Sequence, residues 1–132
     1  MINENKVIVV DVDGTLGEHR QVDQTYGDIG VSLVMKQRLH ELKAQGYWII
    51  LATSRSMRTY QGNIGQIVKH TAPVLLDWLA QHDIPYDEIH FGKPWCGHDG
   101  FYVDDRAIRP REFVNLSIEE LAELIQHDRL VP

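Results

Sequence analysis

The feature that most constrains this chain is a run of four β-branched residues, Val7-Ile8-Val9-Val10, that passes directly into Asp11-Val12-Asp13-Gly14-Thr15-Leu16. A short, continuous apolar run of this kind reads as a buried strand. Ending such a strand in two carboxylates one residue apart is costly. Each must be desolvated, and the two repel, unless a cation or hydrogen-bond donors compensate. The stretch therefore reads as the working strand of a site, and the remaining sequence has to supply what the aspartates need.

The rest of the sequence alternates apolar runs with amphipathic stretches. Residues 13–30 carry four glycines and read as a loop or flap. Residues 31–45 read as a helix with Val31, Met35, Leu39 and Leu42 at helical spacing, and Gly46 stands where a C-terminal cap belongs. A second buried strand is expected over 47–53, followed by a polar connection over 54–70. Thr71-Ala72-Pro73 supplies a hydroxyl cap and a first-turn proline for a helix to about His82, with Val74, Leu75, Trp78 and Leu79 on its inner face. Short strands are expected at 88–91 and 101–103. Ser117-Ile118-Glu119-Glu120 is a capping box opening a last helix.

This β-α-β-α-β-β-α order predicts an α/β fold: a Rossmann-like parallel sheet with helices on both faces. Ligands bind such sheets at the carboxyl ends of the strands. Here those ends carry Asp11, Thr53, Gly92-Lys93 and Asp104-Asp105. With 132 residues and no linker or repeat, the chain reads as a single domain over 1–132.

Composition narrows the class. A formal net charge of -6 counts against a nucleic-acid or anionic-membrane binder. One cysteine, Cys96, excludes an intrachain disulfide and suits a reducing cytoplasm. The first six residues lack the basic start of a signal peptide, and no stretch approaches the about 18 apolar residues of a membrane span.

Asp11-Val12-Asp13-Gly14-Thr15-Leu16, then Thr53, Lys93 and Asp104-Asp105, in this order and each at an expected strand end, resemble the four motifs of the haloacid dehalogenase (HAD) superfamily. Three further runs, Met57-Arg58-Thr59-Tyr60-Gln61-Gly62-Asn63, Gly92-Lys93-Pro94-Trp95-Cys96-Gly97-His98-Asp99-Gly100 and Tyr102-Val103-Asp104-Asp105-Arg106-Ala107-Ile108-Arg109-Pro110, more loosely resemble small HAD proteins associated with capsule or surface-polysaccharide biosynthesis.

The resemblance implies a phosphoric monoester hydrolase. Hydrolysing such an ester needs a nucleophile, a proton source for the leaving oxygen and positive charge around the phosphoryl group. By the resemblance, Asp11 is the nucleophile that forms an aspartyl-phosphate, and Asp13 moves the protons. Gly14 lets the chain turn so that the two part company. Thr53 donates to a phosphate oxygen, unless it caps a turn and the adjacent Ser54 takes that role. Lys93 neutralises the carboxylates and the phosphoryl group. Asp11, the Asp13 carbonyl and Asp104 form an all-oxygen set suited to Mg²⁺. Asp105 holds a metal-bound water or orients Lys93; the alternative is a structural pairing with Arg106 or Arg109.

Arg55 and Arg58 follow the second strand and can meet an anionic substrate group; Lys69 and His70 are weaker candidates. His19 and Arg20 lie in the flap. Cys96 and His98 fall two ligands short of a structural zinc site, and with Trp95 and Asp99 they read as substrate wall or packing.

About 17 residues separate Asp13 from the first helix and roughly 35 separate Thr53 from the third strand, neither enough for a separate cap domain. A capless site is open. It suits a large substrate, or a neighbouring subunit that covers it, hence a homo-oligomer. The expectation is a Mg²⁺-dependent phosphatase acting on a phosphorylated small molecule, of the sugar- or polyol-phosphate kind used in surface-polysaccharide synthesis. The alternatives are a nucleotide or nucleic-acid 3′-phosphatase, and a non-catalytic, receiver-like phospho-acceptor, which lacks an equivalent of Asp13.

Overall fold

The structure is a computed structural model that describes residues 5–130. It is α/β: a parallel three-stranded sheet flanked by helices, with no separate cap domain among the described residues. The chain forms two compact units, divided after Trp95.

The first unit contains β1 (Val7–Val10), α1 (Leu33–Ala44), β2 (Trp48–Thr53), α2 (Ile64–His70), α3 (Ala72–Gln81) and β3 (Glu88–Phe91). β2 is central. Val7 pairs with Trp48 and Val10 with Leu51 on one side; Ile50 pairs with Glu88 and Thr53 with Phe91 on the other. Its alternate residues Ile49, Leu51 and Thr53 are buried, as period-two side chains on a covered face should be. Leu39 and Leu42 of α1, Ile67 of α2, and Leu75, Trp78 and Leu79 of α3 complete the core.

β1 is less deeply placed than its composition implies. Val10 and Val12 are buried, but Val9 is 63% exposed and Val7 lies on the same face as Val9. Strand alternation sends residues 10 and 12 to the core and residues 9 and 11 the other way. This brings Asp11 to an open face.

Several element ends differ from expectation. α1 begins at Leu33, because the Ser32 hydroxyl accepts the Met35 amide and ends the preceding extended chain. The polar connection contains α2, capped by Asn63, whose carbonyl oxygen accepts the Gln66 amide. Thr71 caps nothing with its side chain. It is helical itself, φ -96° and ψ -41°, so α2 runs almost directly into α3. Its hydroxyl instead donates to Ser56 Oγ at 2.7 Å. On α3 the inner face holds Ala72 in place of Val74, which is 42% exposed.

The second unit contains α4 (Pro110–Asn115) and α5 (Ile118–Asp128). The Ser117 capping box forms as expected, with Ser117 and Glu120 each accepting the other's amide. The strand expected at 101–103 does not form: these residues are irregular, and Phe101 and Val103 are 79% and 88% exposed. Aromatic and β-branched residues favour strands only where a neighbouring strand and a covered face receive them. No helix among the described residues is long and apolar enough to cross a membrane.

Candidate active site

The two aspartates are separated by one tight turn. The Val12 carbonyl accepts the amides of Thr15, Leu16 and Gly17 at 3.2, 2.9 and 3.0 Å, and the Gly14 amide donates to the Gly17 carbonyl at 2.7 Å. Gly14 stands at φ +86°, a conformation that side chains disfavour. The His19 ring lies where a Cβ at Gly14 would project. Val12 and Leu16, fully buried, anchor the turn from below.

As a result the carboxylates have different partners. Asp11 Oδ2 accepts the Thr15 hydroxyl at 3.1 Å, and Asp11 Oδ1 lies 3.4 Å from Lys93 Nζ. Asp13 is gripped by Arg55: Nη2 donates to Oδ1 at 2.8 Å and Nε to Oδ2 at 3.1 Å. The Arg55 side chain is fully buried while Asp13 keeps 21% exposure. A bidentate guanidinium fixes the plane of a carboxylate as well as its position. It leaves Asp13 further lone pairs, since an ionised carboxyl has about four acceptor sites.

Lys93 is placed by the sheet. Its amide donates to the Thr53 carbonyl at 3.2 Å, extending the β2–β3 ladder by one bond beyond Phe91. Thr53 is buried, and its hydroxyl oxygen accepts the Arg55 amide at 3.0 Å. That bond turns the chain after β2 and delivers Arg55 to Asp13. The Thr53 hydroxyl proton is a separate group, available to an oxygen ligand.

The flap over 13–30 is closed at its base. The Glu18 amide donates to the Gly30 carbonyl, and the Ser32 amide to the Leu16 carbonyl, at 2.9 and 2.8 Å. α3 secures it: Trp78 Nε1 donates to the Ile29 carbonyl at 2.9 Å, and the Trp78 ring comes so near Gly17 that a Cβ there would meet it at 3.0 Å. The flap thereby lays the Tyr26 ring over the Arg55 guanidinium, 4.2 Å from the ring centroid, an arrangement favourable for a desolvated cation.

The structure thus gathers Asp11, Asp13, Thr53, Arg55 and Lys93 at the carboxyl ends of the three strands. Arg55 serves Asp13 rather than standing open to an anion. Ser54 is half-buried beside it. Arg58 lies over the Trp95 ring at 5.7 Å, and Arg20 donates to the Gln21 and Gln24 carbonyls within the flap. His70 stacks on Tyr60, while Lys69 is exposed. Cys96, His98, Asp99, Asp104 and Asp105 belong to the second unit. There Asp104 Oδ1 accepts the Arg106 amide at 2.9 Å, and Asp105 pairs with Arg129 at 3.4 Å instead of with Arg106 or Arg109.

Sequence reasoning missed Tyr26 and Tyr60. Nothing in their spacing marks them; only the folded flap and the chain after β2 bring them beside Arg55.

For a cation, the first unit offers oxygen donors, the kind that suits Mg²⁺ and disfavours softer metals. Asp11 is its more available carboxylate, since Asp13 is engaged by Arg55. Among the described residues no group of three or more His, Cys, Asp or Glu side chains is set to hold a metal ion.

No protein-family model and no curated protein matches the sequence. Two solved structures resemble the chain. One is a Vibrio cholerae protein described only as a structure-determination target: TM-score 0.89 and 46% identity, covering 94% of this chain and 99% of that one. The other is a D,D-heptose 1,7-bisphosphate phosphatase from B. bronchiseptica complexed with magnesium and phosphate. It has a TM-score of 0.46 and 20% identity, covering 73% of this chain and 54% of that one, a likeness too low to carry an argument about function.

Proposed function

The chain belongs to one family with the Vibrio cholerae protein; from its motifs and the geometry of its site we propose that it is a Mg²⁺-dependent phosphomonoesterase of the HAD type, acting as a single capless catalytic domain. The observation that carries this reading is the division of labour between the aspartates: Asp11 faces Lys93 at 3.4 Å, and Asp13 is turned away onto Arg55. Two carboxylates with separate cationic partners can do separate jobs. Asp11, whose side chain is 32% exposed, attacks phosphorus in line through a carboxylate oxygen, forming an aspartyl-phosphate as the alkoxide leaves. Lys93 and the Thr53 hydroxyl offset the charge on the phosphoryl oxygens. For the first step Asp13 must carry a proton on one of the two oxygens that Arg55 holds; it gives that proton to the leaving oxygen and regains one from the water that hydrolyses the intermediate. Asp11 and the Asp13 carbonyl would hold a Mg²⁺ ion, which would supply charge neutralisation at the phosphate.

The substrate is a phosphorylated small molecule. The looser sequence resemblance to surface-polysaccharide proteins favours a sugar or polyol phosphate in that chemistry. A homo-oligomer covering the open site goes with this reading.

The test is phosphate release from para-nitrophenyl phosphate and a panel of phosphorylated metabolites, with and without Mg²⁺. Wild type should turn over with Mg²⁺, and Asp11→Asn should be inert. Asp13→Asn should retain Mg²⁺ binding and lose about 10²- to 10⁴-fold in turnover. Absence of hydrolysis alongside a long-lived phospho-Asp11 would establish a receiver-like phospho-acceptor instead.

A further inference from the structure

Beside Arg55 lies a cavity of about 470 Å³, within the range of small-molecule sites, about 300–1,000 Å³. Tyr26 and Thr25 of the flap form one wall. Tyr60 and His70, stacked with ring centroids 5.5 Å apart and planes 19° from parallel, form another. Thr59 and the hydrogen-bonded hydroxyls of Ser56 and Thr71 complete the polar lining. Ser56 sits at φ +66°, an uncommon conformation for a residue with a side chain, and one that tertiary contacts must maintain. Arg55 Nη1 is buried and has no hydrogen-bond partner among the described residues.

We propose that this cavity is the leaving-group subsite and that it takes a neutral, polyhydroxylated moiety, the carbohydrate part of a phosphate ester. The proposal rests on the phosphomonoesterase reading for its place in the reaction and on the lining for its chemistry. Asp13 is the residue that protonates the leaving oxygen, and Arg55 both grips Asp13 and lines the cavity. The cavity is therefore joined to the proton donor through Arg55, which is shared between them.

The lining contains no carboxylate, and its guanidinium is already balanced by Asp13. A second charged group on the ligand would find no free counter-ion there, apart from His70 when protonated. What the walls offer is hydroxyls that both donate and accept, and aromatic surface. A ring carrying several hydroxyls on an apolar carbon face matches that set.

Tyr60→Ala and Thr59→Val separate this from its rivals, since both residues are at least partly solvent-accessible. Steady-state kinetics with hexose 6-phosphates, nucleoside 5′-monophosphates and para-nitrophenyl phosphate give kcat/KM ratios. Saturation-transfer NMR with unphosphorylated hexoses and with adenosine gives binding without chemistry. The expected results are a hexose signal that Tyr60→Ala removes, and a hexose-phosphate to aryl-phosphate ratio that falls about tenfold in Tyr60→Ala, as for truncation of an aromatic anchor. Equal losses on all esters, or an adenosine signal in place of the hexose signal, would overturn the subsite. Hexose binding that Tyr60→Ala removes, in a protein that hydrolyses no ester, would keep the subsite and sink the phosphatase reading. Ester hydrolysis without hexose binding and with unchanged ratios would do the reverse.

Discussion

Arg55 holds Asp13 through two near-parallel hydrogen bonds, 2.8 and 3.1 Å, with its guanidinium fully buried under the Tyr26 ring. The pair joins the chain after β2 to the turn after β1, and fixes the plane of the Asp13 carboxylate. Arg55→Lys keeps the charge and loses the fork. Misplacing a catalytic group by an ångström can cost about 10²-fold in rate, so kcat for an aryl phosphate should fall by that order. Stability should fall by about 2 kcal/mol, less than for a wholly buried pair because Asp13 keeps some contact with water. Denaturant titration and initial rates measure the two effects separately. Loss of stability with undiminished kcat would make the pair purely structural.

Gly14→Ala tests the turn that parts the aspartates. Its φ of +86° is strained for alanine, and the new methyl would have to displace the His19 ring. A loss of about 1–2 kcal/mol is expected, together with reduced turnover as Asp13 shifts. Gly46 serves as the control: it has a similar φ of +92°, but a methyl there would meet nothing within 4 Å, so Gly46→Ala should cost stability and leave turnover alone.

Trp78→Phe probes the tether between α3 and the flap. An aromatic ring is kept, but the buried Nε1–H to Ile29 carbonyl bond is lost, and with it the far edge of the indole that reaches Gly17. Leaving a buried acceptor unpaired costs about 1–3 kcal/mol. Limited proteolysis should then cleave within residues 18–28 faster than in wild type. Cleavage rates that match wild type would show that the flap is held by other contacts.

Asp87 links three pieces of the first unit. Its carboxylate accepts Lys43 Nζ of α1 at 2.6 Å and the Ile49 amide of β2 at 2.8 Å, just before β3. Burial pushes its pKa up, but the Lys43 ammonium and the Ile49 amide outweigh that and hold it below the ordinary value of 3.8. A carboxyl with a depressed folded-state pKa adds stability that is fully present above its unfolded value and fades as the pH drops through the folded one. The stability gap between wild type and Asp87→Asn should therefore be widest at neutral pH, about 1–2 kcal/mol, and narrow below about pH 4. Urea titrations at pH 7 and pH 3 measure it; a gap that widens in acid would reverse the assignment.

Local signals located much of this fold. Val7–Val10 and Glu88–Phe91 form strands where short β-rich runs end at polar residues. Ser117 with Glu120 opens α5, because a capping box needs only residues three apart. α2 escaped notice because its seven residues bury a single side chain, Ile67, too little to set a period against a polar background. Residues 101–103 looked like a strand because propensity reports composition, whereas strands exist only when paired.

The same division runs through the site. By itself the sequence determined that Asp11, Thr53 and Lys93 end successive strands and that a turn at Gly14 must follow Asp11, since these depend on chain order and local backbone preference. Only the tertiary structure decided that Asp13 belongs to Arg55, that Asp11 belongs to Lys93, and that Tyr26 and Tyr60 line a cavity together with Arg55. Partners 42 and 82 residues apart are chosen by packing, through the ladder that carries Lys93 to Thr53 and the tryptophan that ties down the flap. No local pattern in the chain encodes that choice.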